Sequence, residues 1–231
     1  METIEAISLT LGVAWAAGIN LYAAVLVLGY LEATGSVDLP PDLEILTNPM
    51  VMAAAGFMYL VEFFADKIPG VDTGWDALHT FIRIPAGAVL AAGMAQGLEV
   101  GQAAEFAALL VGGGLAATSH LTKAGSRVLI NTSPEPFTNW TASITEDVVV
   151  IGGLWASLQH PWLFITALVV FLLIVAWLLP RIWRGLKRIF RAIGEFFSGK
   201  SQPDDTQNPS SDTKREDVLR SLYHDNSKND N

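Results

Sequence analysis

The sequence has no cysteine, few bases and few charges of any kind, and each shortage removes a class of protein. Without cysteine there is no disulfide-stapled secreted scaffold, no thiolate zinc site and no cysteine nucleophile. Charged residues make up 16% of the 231, where an ordinary soluble domain carries roughly a quarter. With 14 Lys and Arg against 23 Asp and Glu, the chain lacks the basic surface a nucleic-acid binder needs. At 51% hydrophobic residues it is also no disordered polymer. No glycine loop is spaced to cradle a phosphate and no His pair has zinc-ligand spacing. The expectation is therefore a protein that is not an enzyme and carries no cofactor, with the question of a metal left open. The one enzyme reading left is a membrane-embedded hydrolase or lipid-modifying enzyme using His79 or His120 beside a carboxylate.

What is present is apolar length. The mean hydropathy is +0.39, and the formal net charge of −9 conceals three different materials. Residues 1–180 hold only Lys67, Arg83, Lys123 and Arg127 against fifteen acids. Residues 181–200 hold six bases and one acid, and residues 201–231 four bases and seven acids. These are an apolar body, a basic helix and a polar tail, with domain boundaries at 1–180, 181–200 and 201–231.

The body predicts an all-α, polytopic membrane bundle. Residues 161–180 run for twenty positions without a charge, enough to cross about 30 Å of hydrocarbon. Further spans are expected near 7–33, 49–65, 76–97, 102–121 and 138–158, about six in all. The opening Met-Glu-Thr-Ile-Glu has no basic n-region, so no cleaved signal peptide is expected. With six spans and both termini in the cytoplasm, the inner loops carry Lys67, Lys123 and Arg127. The outer loops, 34–48, 98–101 and 159–160, then carry no Lys or Arg. That asymmetry selects this orientation, and a five-span count breaks it.

Residues 181–197 alternate apolar and basic positions at helical spacing, with Arg181, Arg184, Lys187, Arg188 and Arg191 opposite Ile182, Leu186, Ile189 and Phe190. Such a helix suits the surface of an anionic leaflet; the plainer alternative is a continuation of the sixth span. The Pro/Ser/Asp-rich tail beyond Lys200 reads as disordered, with one short helix at 216–225.

Ionisable residues inside spans are expensive unless paired or hydrated, and so suggest function by default. Glu62 and Asp66, four apart, share a helical face beside Lys67. They read either as a cation- or proton-binding pair or as a structural network with Arg83 or Lys67. Asp76, His79 and Arg83 recur at i, i+3 and i+7, just before Pro85, which can kink the helix. His120, Lys123 and Arg127 repeat that spacing, and Asn131 and Asn139 flank a stiff Pro134-Glu135-Pro136 connection able to fold back into the bundle. Glu146 and Asp147 form the deepest acidic pair, about 100° apart, so that one can face a cavity while the other meets a base. Gly18 and Asn20 permit a break in the first span, with close helix packing the plainer reading. Gly112-Gly113-Gly114 with Ala116 and Ala117, and Ala88, Ala92 and Gly93, look like packing faces.

All these charges fall in the cytoplasmic half under the six-span topology, which predicts a hydrated vestibule open inward. Glu62, Asp66, Asp76, His79, Glu146 and Asp147 are the cation or proton candidates. Lys67, Arg83, His120, Lys123 and Arg127 are the anion-binding or pairing candidates, and Asn20, Asn131 and Asn139 are polar lining. The strings VEFFADKIPGVDTGWDALHTFIRIPAGA (61–88), SHLTKAGSRVLINTSPEPFTNW (119–140) and SITEDVVV (143–150) occur in that order. Together they resemble the bacterial multi-pass membrane family catalogued as domain of unknown function 4126. The resemblance covers about residues 10–160 and implies no activity. A looser likeness to cation/proton exchangers with a Glu-x-Gly-Asp-Lys/Arg-Thr/Ser motif departs here in spacing and final residue, Glu62-x-x-x-Asp66-Lys67-Ile68. Two functions stay open: a small transporter of an ion or solute in a bacterial inner membrane, or a non-transporting scaffold recruiting a partner through its basic helix and tail. The expected partners are the bilayer, a small ion or solute, or a second copy of the chain.

Overall fold

The computed structural model describes residues 3–98, 101–132, 136–197 and 216. Among them there is no strand. Six α-helices follow in order: α1 (Thr3–Ala33), α2 (Pro49–Ala65), α3 (Val71–Gln96), α4 (Gln102–Ile130), α5 (Pro136–Gln159) and α6 (Pro161–Phe197). A 3-10 helix (Pro41–Thr47) precedes α2 at a bend of 66°. Proline opens α2, α5 and α6, where its missing N–H is no loss and its φ is already helical. Asn48 caps α2, its side chain accepting from the Met50 N–H at 2.9 Å.

α1, α3, α4 and the Pro161–Leu178 part of α6 are long and apolar enough to cross a membrane, and a fifth crossing follows if the bent 3-10/α2 pair counts as one span. In length and composition these helices are those of a multi-pass membrane protein. The outward side chains agree with lipid surroundings: Phe81 is 82% exposed, Trp162 70% and Phe57 66%, an apolar surface that in water would be an aggregation liability. α5, the fifth of the six expected spans, is a full-length helix, but with Glu146 and Asp147 in it does not reach the same apolarity.

α1 is the centre of the bundle. It packs on α2, α3, α4 and α5, and it is small enough to do so, since Ala14, Ala16, Ala17, Ala23 and Ala24 are all buried. Where α3 crosses α4, a Cβ at Gly87 would sit 2.5 Å from that of Ala116, and one at Gly112 would collide with Ala91. Glycine is required there by close approach.

Two expectations shift in position. α4 runs to Ile130, well past residue 121, so His120, Lys123 and Arg127 lie on helix. Asn131 and Thr132 form a turn and residues 133–135 lie outside the described residues; of the segment 119–140, 119–130 and 136–140 are helix. The chain divides into two compact units, residues 1–180 and 181–231. In the second, Arg181, Arg184 and Lys187 are exposed and Glu216 is helical. The side chains of Arg188 and Arg191 and the rest of the tail lie outside the described residues, as do the expected disorder there and most of the expected 216–225 helix.

Candidate functional site

The two triplets read from the sequence each form one helical face, and the faces meet. Arg83 Nη1 on α3 donates to Asp76 Oδ1 at 3.0 Å and to His120 Nδ1 at 3.3 Å, while Nη2 donates to Glu62 Oε1 at 2.5 Å. Because Arg83 supplies a hydrogen to Nδ1, the other His120 nitrogen is the N–H, donating to Thr80 Oγ1 at 2.8 Å. Thr80 in turn donates to the Asp76 carbonyl. That chain of donors needs a neutral imidazole.

One helical turn further, Lys123 Nζ reaches Asp66 Oδ2 at 2.8 Å, Glu62 Oε1 at 3.1 Å, Glu146 Oε2 at 3.4 Å and Asp76 Oδ1 at 3.8 Å. Arg127 grips Glu146 through two nitrogens, Nη2 at 2.7 Å and Nε at 3.2 Å, and also donates to the Asp66 and Asn139 carbonyls. Glu62, Asp76, Arg83, His120 and Arg127 are fully buried, and Asp66 and Lys123 nearly so. The expected hydrated vestibule is therefore corrected: in this state the charges close on one another. A cavity of about 510 Å³ between α1, α2 and α5 is mostly apolar and lined by residues such as Tyr30, Met52 and Trp155.

Four carboxylates face three bases in this cluster, so with every group ionised it carries one negative charge in excess. Glu62 Oε2, Asp66 Oδ1 and Asp76 Oδ2 are buried with no hydrogen-bond partner. The Glu62–Asp66 pair takes its bases from α3 and α4, and not from Lys67. The Lys67 ammonium donates to the Phe63 carbonyl at 3.0 Å and lies over the Phe63 ring. Burial pushes it below the usual lysine range, against the opposing pull of Asp147 and Asp66.

The cluster rests on a break in α1. Asn20 leaves helical geometry, at φ −144° and ψ 94°. Its Oδ1 accepts from the Ala23 N–H at 3.0 Å, capping the second half of the helix. In an unbroken helix that N–H serves the Ile19 carbonyl; here Ile19 O accepts from Lys123 Nζ at 3.3 Å. Ser119 Oγ donates to the Trp15 carbonyl at 2.8 Å. The break falls at Asn20, whereas Pro85 sits inside a continuous α3. Gly18 also packs closely, since a Cβ there would collide with Ser119 and the Ala116 carbonyl, so both readings of the Gly18–Asn20 segment hold.

Glu146 and Asp147 point to different neighbourhoods. Glu146 joins the bases, while Asp147 accepts from Asn20 Nδ2 at 3.0 Å and Tyr59 Oη at 3.1 Å, both neutral donors. His79 stands apart from the cluster. Its Nδ1–H donates to the Trp75 carbonyl at 2.9 Å, leaving Nε2 to accept from Tyr22 Oη at 3.0 Å, and its ring stacks on Trp75. Asn131 and Asn139 form a separate chain, Asn139 Nδ2 to Asn131 Oδ1 at 3.0 Å and Asn131 Nδ2 to Asp72 Oδ1 at 2.9 Å. Sequence reasoning misses Asp72, Thr80, Ser119, Tyr22 and Tyr59. Asp72 carries a usable signal, an acid in the first turn after a glycine; the others have no distinguishing local pattern.

The chain belongs to the family described as Domain of unknown function (DUF4126), whose model matches residues 7–181. That description assigns no activity. No curated protein and no solved structure matches the chain.

Proposed function

We propose that this protein is a small transporter of an ion or small solute, here with its charged core closed. The observation that carries this reading is the break in α1 at Asn20, set against the ion cluster. A discontinuous central helix offers backbone carbonyls and a half-helix N-terminus at mid-bundle, the recurring construction of transporter sites. Its freed Ile19 carbonyl is held by Lys123, which also serves four carboxylates. Burying that many charges is poor economy for stability alone, since well-packed apolar residues of similar volume do as well or better. In this reading Glu62, Asp66, Asp76 and Glu146 handle a cation or proton, and Arg83, Lys123 and Arg127 set their affinity. Asp147, His79 and Lys67 belong to its surroundings. No catalysis is assigned to them.

The topology in this proposal has six crossings, with α5 packed on α1 as one of them and both termini on the cytoplasmic side of a bacterial inner membrane. Arg181, Arg184, Lys187, Arg188 and Arg191 then lie against the anionic leaflet. A second reading, a non-transporting scaffold that recruits a partner through the basic helix and tail, is favoured by the fact that the cluster's charges are paired and buried.

The test is ion flux into proteoliposomes for wild type, Glu62→Gln and Glu146→Gln. Loss of flux in both variants is expected, and equal flux in all three removes these carboxylates from the mechanism. Deleting residues 201–231 separates the two readings. A transporter keeps its flux, whereas a tail-dependent scaffold has none to lose and forfeits its partner in a pull-down.

A further inference from the structure

Lys123 is surrounded as a bound cation is surrounded. Five oxygens lie around its Nζ: one from each of Asp66, Glu62, Glu146 and Asp76, at 2.8, 3.1, 3.4 and 3.8 Å, and the Ile19 carbonyl at 3.3 Å. They come from α1, α2, α3 and α5 and from the Asp66 cap, so the broken helix and three of its neighbours meet at the ammonium. An ammonium has only three hydrogens to donate, fewer than the oxygens around it. The shell is richer than hydrogen bonding alone would build.

A second observation points the same way. Glu62, Asp66 and Asp76 each give one oxygen to this shell, and the other oxygen of each is buried without a partner. Coordination capacity therefore lies unused one carboxyl width from the ammonium. The remaining charged groups around the shell are Arg83, on Glu62 and Asp76, and Arg127, on Asp66 and Glu146. With both guanidiniums counted, removal of the ammonium leaves two negative charges uncompensated. Among the described residues no three His, Asp or Glu side chains are gathered to hold a metal ion as they stand, so a free cation enters only if Lys123 leaves and the carboxylates shift.

We propose that these five oxygens are a cation site whose resident occupant is the Lys123 ammonium, and that a free alkali cation of potassium size competes with Lys123 for it. The spacing decides the class. Oxygens around Ca²⁺ lie at about 2.3–2.6 Å and around Mg²⁺ at about 2.0–2.1 Å, closer than any oxygen to this nitrogen. The inference rests on the transport reading, and it supplies a step: an entering cation frees the Lys123 side chain, and the Ile19 carbonyl loses its donor, so occupancy of the site is coupled to the break in α1.

The experiment is thermal unfolding of the full chain in detergent, for wild type and Lys123→Met, titrated with KCl against N-methyl-D-glucamine chloride at matched ionic strength. Lys123→Met is expected to show a saturable rise in midpoint with K⁺, half-complete at a concentration at least tenfold below that needed by wild type. Identical curves in the two salts overturn the proposal, and a response to Ca²⁺ without one to K⁺ overturns the alkali class. Should Lys123→Met fail to fold, Lys123→Met/Glu146→Gln keeps the cluster's wild-type charge and is titrated in its place, with a flat response again overturning the site. A K⁺ response without flux in proteoliposomes leaves the site standing and removes transport; flux without a K⁺ response does the reverse.

Discussion

α3 and α4 face each other in two ways within about three turns. Around Gly87, Gly112 and Ala116 the helices touch through hydrogen and methyl, with no room for one more carbon. A turn further along, the same two helices meet through hydrogen bonds from His120 to Thr80 and from Arg83 to His120 and through the Lys123–Asp76 ion pair. The small-residue region cannot separate without losing dispersion contacts that water does not replace. The charged region can exchange its partners for water or a solute ion. The first is suited to be a fixed pivot and the second to open, and α1 joins them, packed against Ala116 at Gly18 and broken at Asn20.

Breaking the charged region first should have the largest effect. Arg83→Leu strands Glu62 and Asp76 without their guanidinium and is expected to cost about 3–5 kcal/mol, read as a collapse of the melting transition or loss of the monodisperse peak in detergent. In the small-residue region, Gly112→Ala forces a methyl against Ala91 and the Gly87 carbonyl, and about 1–3 kcal/mol is expected from overpacking. Asn20→Ala removes the cap of the second half of α1 and one donor to Asp147; about 1 kcal/mol of stability should go, with a larger fractional loss of flux. Gly114→Ala sharpens the comparison from the other side. Two residues from Gly112 it has open space around it, so helix propensity alone should leave it unchanged or stabilised by at most about 1 kcal/mol.

Spacing carries much of this. A helix turns i, i+3, i+7 into one face, so Asp76–His79–Arg83 and His120–Lys123–Arg127 are legible as faces in the sequence alone. Which face meets which is not. Lys123 draws its carboxylates from both ends of the α2–α3 connection and from α5, and no one-dimensional pattern encodes that convergence. Charge closure escapes the sequence for the same reason: a count of polar residues in one half of a bundle is the same whether they line water or pair. Glycine runs are legible as packing faces, but Gly87, which stands alone in the sequence, is as tight as Gly112, while Gly114 within the run touches nothing. The membrane class is plain from composition, whereas the crossing count rests on α5, whose half-buried acids lower its apolarity.

The absence of cysteine makes the central claim directly accessible, because a single introduced thiol is the only one in the chain. Ser119 lies buried next to His120, between the close-packed turn at Ala116 and the charged turn at Lys123, and Glu44 is exposed. Ser119→Cys and Glu44→Cys in proteoliposomes, treated with a membrane-impermeant thiol reagent from each side, report whether the charged core opens to water. Transport predicts that the Ser119→Cys thiol is labelled slowly from one side, at a rate that changes when a K⁺ gradient is imposed, while the Glu44→Cys thiol labels at once. A Ser119→Cys thiol that is never labelled from either side, beside a fully labelled Glu44→Cys control, would contradict a core that opens.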